Sequence, residues 1–243
     1  MMFDTSGNDK IIVPLKLSDQ VFQRLRDMIS NGELSAGDPV PSERELMERF
    51  GVGRPAVREA LQTMKNKGLI TINQGERSRV NTITAGIAFN QVDDIAKLLL
   101  SSEPSNIEHL KQVRHILELG TVKLAAERCT ENDANELAEL IAVQHSRLAN
   151  AEDFMRADIA FHTRLALVSG NPLIHSITQM MLTWLFEYHS SLLLWSGREE
   201  TTLQEHTDIV EYLRANNIKG AAVSMKNHLN RSNASFVSSA KRA

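Results

Sequence analysis

The sequence predicts a mainly α protein in two parts, a small helical unit that ends in a hairpin followed by an all-α helical bundle. Three observations point there. The 243 residues exceed one average domain and stay below three. Apolar residues recur at helical spacing over most of the chain, while two β-branched runs, LITI and SRV, fall together near residue 75. All eight histidines lie beyond residue 108, so the two parts differ in chemistry as well as in pattern. The boundaries read as a flexible arm 1–14, a first domain 15–80, a linker 81–88, a helical domain 89–238 and a tail 239–243.

Composition narrows the function classes. With 42% hydrophobic and 23% charged residues the chain is ordinary globular material that packs a core. It contains no apolar run of about eighteen residues, and the start MMFDTSGNDK lacks an apolar segment, so no membrane span or signal peptide is expected and the cytoplasm is the expected compartment. One cysteine, Cys129, excludes an internal disulfide and a cysteine-based zinc cluster; any metal must be held by histidine and carboxylate. The net charge of −3 argues against binding nucleic acid by bulk charge. Divided at residue 80, however, that charge becomes +1 and −4. Residues 51–80 hold Arg54, Arg58, Lys65, Lys67, Arg77 and Arg79 against only Glu59 and Glu76.

The elements of the first part follow in order. Ser18 is a candidate N-cap for a helix with the stripe Val21, Leu25, Met28 and Ile29, ending near Asn31-Gly32. After the loop GELSAGDPVP, Ser42 and Glu45 have the three-residue offset of a capping box and start a short helix that stops at Gly51. A tight GVG turn leads into RPAVREALQTMKNKG, where Pro55 suits the first turn, Val57, Leu61 and Met64 share a face, and Gly68 closes the helix. LITI and SRV then flank NQGER as a hairpin with Gly75 at its tip. Helix, short helix, tight turn, basic helix and hairpin is the order of a winged helix-turn-helix, whose third helix enters the major groove N-terminus first. Arg54 and Arg58 lie one turn apart at that N-terminus, opposite the apolar face. Either they read base edges and phosphates with their planar forks, or they form a solvated basic face; the element order favours the first.

PSERELMERFGVGRPAVREALQTMKNKGLI followed by NQGERSRV resembles the DNA-binding domain of the GntR family of bacterial transcription regulators over roughly residues 16–80. The resemblance implies that Arg44, Arg54 and Arg58 contact operator DNA and that Gly75 is the wing-tip glycine near the minor groove. Arg77 and Arg79 would add phosphate contacts. Glu76, directly after the wing glycine, departs from what a phosphate would welcome.

From about Phe89 to Val237 the pattern is helical, with breaks at SSEPS, CTEND, ANAED, SGNP, SGREE and ANNIKG that delimit about seven helices. In DFMRADIAFHTRL, Asp158 and His162 stand i, i+4 on the apolar stripe of Phe154, Phe161 and Leu165, where an unpaired charge is costly. His206 and His228 repeat the anomaly in the stripes of Leu203, Ile209 and Leu213 and of Met225 and Leu229. A lone histidine on such a face reads as a satisfied core residue. Three histidines and an aspartate together match a divalent transition-metal site, zinc above all.

The all-helical second domain resembles the FadR-type, or FCD, subgroup of the GntR family. That resemblance implies Asp158, His162, His206 and His228 as metal ligands, with His175 and His189 outside the pattern. It also implies that Arg114, one turn before Glu118 in VRHILE, reaches an effector pocket; its other reading is a surface ion pair. The segment GNPLIHSITQMMLTWL is similar to regulators of sialic-acid catabolism within the family. The expected protein is a homodimeric, ligand-responsive repressor of a catabolic operon. It would bind palindromic or repeated half-sites in double-stranded operator DNA under control of a small carboxylate or sugar acid. An enzyme is not expected, because a hydrolase needs a general base near its metal-bound water and the inward stripes offer no second carboxylate. Two alternatives remain from the residues: a metal-dependent hydrolase with a nucleic-acid-binding tether, and a DNA-binding scaffold with structural histidines.

Overall fold

A computed structural model of the chain describes residues 15–73, 76–90, 92–189 and 198–240. The chain divides into two compact units, residues 1–88 and 89–243. Among the described residues there are eleven helices and one two-stranded sheet.

In the first unit, α1 spans Leu17–Ser30, α2 Glu43–Phe50 and α3 Arg54–Asn66, and β1 (Ile70–Thr71) pairs antiparallel with β2 (Arg79–Val80). Ser18 does not cap α1. The chain is already helical at Leu17, so the Ser18 hydroxyl lies inside the first turn, buried, and Lys16 takes the cap position without a side-chain bond. The capping box of α2 forms as its spacing dictates: Ser42 Oγ accepts from the Glu45 amide, and a Glu45 carboxylate oxygen accepts from the Ser42 amide at 2.6 Å. Gly51 ends α2 at φ 64°, a left-handed conformation that a side chain would resist, and this turns the chain toward α3 within three residues. Leu25, Leu46, Val57, Met64 and Ile70 close a core under all three helices and the hairpin.

The short helix α4, Ala85–Asn90, takes up the second half of the stretch that reads as linker, its first turn held by Thr84 Oγ1 accepting from the Ile87 amide. Seven helices follow: α5 Asp93–Ser102, α6 Pro104–Arg128, α7 Glu131–His145, α8 Ala151–Val168, α9 Pro172–His189, α10 Glu199–Arg214 and α11 Ile218–Ala240. Their starts are written locally. Pro104 and Pro172 stand in first turns, Thr130 and Asp133 form a second capping box, and Asn150 caps α8 by accepting from the Asp153 amide. Helix contacts run from α6 to α11, α11 to α10, α10 to α7, α7 to α8 and α8 back to α6. These five helices therefore form a closed ring around a core that includes Val122, Leu137, Phe161, Leu165, Ile209 and Leu229. No described helix is long and apolar enough to cross a membrane.

Ser42→Ala removes one half of the α2 box. It is expected to cost about 1 kcal/mol and to lower the melting midpoint of the first unit by about 4–8 °C, read by calorimetry of the full chain.

Candidate functional site

Two sets of side chains carry chemistry, one in each unit. In the first, α3 begins at Arg54 with no side chain capping its amides and no acid in its first turn, which leaves the positive end of the helix open to an anion. Arg54 and Arg58 project from this end, each with more than half of its side chain exposed. One acid from α2 holds both: Glu43 Oε1 lies 2.8 Å from Arg58 Nε, and Oε2 lies 3.6 Å from Arg54 Nε. Arg44, the most exposed of the three arginines, pairs instead with Glu48 one turn along its own helix. Arg77 is exposed on the hairpin side and, with Glu43, Arg58, Gln62 and Glu76, lines a groove of about 500 Å³ between α3 and the hairpin.

Gly75 lies outside the described residues. Arg79 is exposed, and its Nη1 donates to the Gly37 carbonyl at 2.8 Å, which ties the hairpin to the loop before α2. Glu76 accepts from Asn73 Nδ2 at 3.1 Å.

In the second unit the helical spacing brings together the four residues that the apolar stripes singled out. Asp158 and His162 from α8, His206 from α10 and His228 from α11 are all buried, and one donor atom from each lies within 4.8 Å of the others. The ring of Phe161 stacks on His206 with centroids 4.0 Å apart and helps to fix its plane. Each histidine turns Nδ1 away from the cluster toward a different acceptor. His228 meets Glu205 Oε2 at 2.9 Å, and His206 meets Gln144 Oε1 at 3.0 Å. His162 lies 2.5 Å from Glu118 Oε2, an ion-pair contact whose approach is off the line that a hydrogen bond prefers.

The Nε2 atoms face inward. Those of His206 and His228 are buried without a hydrogen-bond partner among the described residues, a costly state for a polar atom unless a cation completes it. Burial, followed by the neighbouring His228 and His162, holds His206 well below its ordinary pKa. Burial also lowers His228 despite its bond to Glu205. The imidazoles of His206 and His228, which burial keeps neutral, stand with His162 beside the Asp158 carboxylate as a donor set suited to a divalent cation.

Arg114 is no surface pair. It is 5% exposed, its Nε donates to Glu118 Oε1 at 2.6 Å, and its Nη2 lies 3.5 Å from His162 Nε2. Burial alone would raise the Glu118 carboxyl, but His162 and Arg114 outweigh it and hold the group well below the usual carboxylate range. The stripes of the sequence showed no second carboxylate near the ligands, and the structure corrects this by placing Glu118 and Glu205 there. Both are engaged, Glu118 between Arg114 and His162 and Glu205 between His228 and Arg231. Against the pull of burial those partners bring Glu205 down to about 2.

Sequence reasoning missed Gln144, although a signal existed: it continues the α7 stripe of Ala134, Leu137 and Ile141 as a lone polar residue and is fully buried. Glu205 gave no such sign, since charged residues beside an apolar stripe are ordinary. His175 Nδ1 lies 3.1 Å from the Thr163 carbonyl, apart from the cluster, and the His189 side chain lies outside the described residues.

The chain is similar to known proteins over both units. The model of bacterial regulatory proteins, gntR family, matches residues 17–80, and the FCD domain model matches residues 109–231. The HTH-type transcriptional repressor NanR of Cronobacter sakazakii is 37% identical over 217 residues, 88% of this chain and 83% of that protein. NanR of Escherichia coli K12 is 37% identical over the same shares, 88% and 82%. Among solved structures, Streptococcus agalactiae GntR matches with a TM-score of 0.64 at 23% identity, covering 88% of this chain and 98% of that one, a likeness of fold.

Glu118→Ala leaves Arg114 buried without its carboxylate. A loss of about 3–5 kcal/mol in denaturant unfolding is expected, with Glu118→Gln retaining part of it. A loss below about 1 kcal/mol, the range of exposed pairs, would mean that the arginine finds water.

Proposed function

Since the chain belongs to the GntR family of bacterial regulatory proteins and carries an FCD domain, we propose that it is a ligand-responsive, DNA-binding transcriptional repressor. The observation that supports this most directly is the presentation of Arg54 and Arg58 from the uncapped start of α3 in a chain 37% identical to repressors. Arg54 and Arg58 read the major groove, Arg44 and Arg77 hold the backbone, and Gly75 brings the wing close to the minor groove. One such head makes too few contacts for operator affinity, so the protein acts as a homodimer on paired half-sites. Its compartment is the cytoplasm, where that DNA lies.

Asp158, His162, His206 and His228 hold a divalent transition metal, zinc by preference. The bound ion supplies a Lewis-acidic anchor for an anionic oxygen. Around it the chain does the rest: Arg114 offers its guanidinium to a carboxylate, and Phe161 and the ring of helices keep water out. The effector is accordingly a small carboxylate or sugar acid, with sialic acid the first to test. Regulation rather than catalysis fits a site whose nearest carboxylates, Glu118 and Glu205, are both tied into ion pairs.

Gel shifts with the DNA upstream of the protein's own gene should give binding that weakens steeply with salt. Arg58→Ala should weaken it by about 1–3 kcal/mol, and sialic acid should change the bound fraction. Binding that survives both Arg54→Ala and Arg58→Ala unchanged would remove α3 as the reading helix. Elemental analysis of the purified protein should find about one zinc, nickel or manganese per chain. Less than about half an equivalent, unaltered by His206→Ala, would sink the metal assignment.

A further inference from the structure

We propose that Gln144 is the positioning residue of the metal centre, fixing Asp158 as an acceptor and His206 in the tautomer that offers Nε2 before any ion arrives. The inference rests on the metal reading above and adds a residue from α7, a helix that supplies none of the four ligands.

Gln144 is fully buried and bridges two ligands: its Nε2 donates to Asp158 Oδ1 at 3.0 Å, and its Oε1 lies 3.0 Å from His206 Nδ1. An amide has one donating end and one accepting end, whereas an ionised carboxylate only accepts. Asp158 therefore dictates which way the amide faces. With the NH2 group on Asp158, the carbonyl oxygen faces His206 and must receive a proton from Nδ1. The lone pair is left on Nε2, which is buried without a partner among the described residues and lies 3.5 Å from Asp158 Oδ1. The charge of one ligand thus sets the tautomer of another through a neutral relay.

The other two histidines have carboxylates at Nδ1, each balanced by an arginine: Glu118 by Arg114 and Glu205 by Arg231. A carboxylate could not replace the amide at 144, because it would set two like charges about 3 Å apart across the Asp158 contact. Only a group with a donor at one end and an acceptor at the other serves both ligands. Outer partners of metal-bound imidazoles fix ring orientation and typically account for about 10–100-fold in metal affinity.

The test uses the full-length protein, with zinc as the probe. Competition against a chelator should give a Kd about 10–100-fold weaker for Gln144→Leu than for the wild type. Gln144→Glu, which keeps an acceptor for His206 and loses the donor for Asp158, should also bind more weakly. In the metal-free wild type, imidazole 15N shifts should place the His206 proton on Nδ1. In Gln144→Leu that signal should move toward the other tautomer while His228 keeps its own. A proton on Nε2 of His206 in the wild type overturns the inference even if no variant folds. So does zinc affinity in Gln144→Leu within about twofold of the wild type. A wild type that takes up no zinc removes the metal reading instead, and the tautomer measurement still judges the relay.

Discussion

Glu118 divides its two carboxylate oxygens between Arg114 and His162, and the interior of the helical ring depends on that division. A carboxylate 2% exposed and a guanidinium 5% exposed would each cost several kcal/mol if left alone out of water. The pair is tolerated because both sit on α6, one turn apart, so the helix itself fixes their separation. The remaining oxygen then reaches across to α8 and orients the first histidine. Asp158 Oδ2 lies 3.8 Å from the Nε2 of that histidine, and hydrogen bonds then run from Asp158 through Gln144 to His206 on α10, with His228 on α11 beside it. Each of the five helices in the ring contributes at least one polar group to its centre.

This arrangement explains why the ring closes through elements that are distant in the chain. Apolar packing alone brings α6 against α11 and α7 against α10, but it is non-directional and tolerates sliding. Hydrogen-bonded side chains between helices do not. A one-residue slip of α7 would carry Gln144 away from both Asp158 and His206 and leave buried polar atoms on three helices without partners. The polar centre thus specifies register where leucines and alanines supply cohesion.

Much of this was legible in the sequence, and the reasons differ by element. The Ser42–Glu45 offset, the GVG turn and the closing Gly68 are local signals, and the structure follows them because each is settled within one turn of chain. Asp158, His162, His206 and His228 were legible as ionisable residues out of place on apolar stripes, a signal that survives without knowing which helices meet. Ser18 misled because a cap is decided by where the helix starts, and Leu17 already lies in it. The bond from Arg79 to the Gly37 carbonyl left no sign because the two residues are remote in sequence. The helix over Ala85–Asn90 has too few turns to show a period. Gln144 was visible as an anomaly, but its two partners come from two other helices, and only their convergence gives the residue a meaning.

Glu43 gives the start of α3 a property that net charge conceals. Its one carboxylate lies between Arg54 and Arg58, meeting each at Nε, and both side chains stay more than half exposed. In the DNA-binding role proposed above, an incoming anion would share each guanidinium with this resident acid or displace it. The ion pairs already present would then count against every new contact, whether to a phosphate or to a guanine edge.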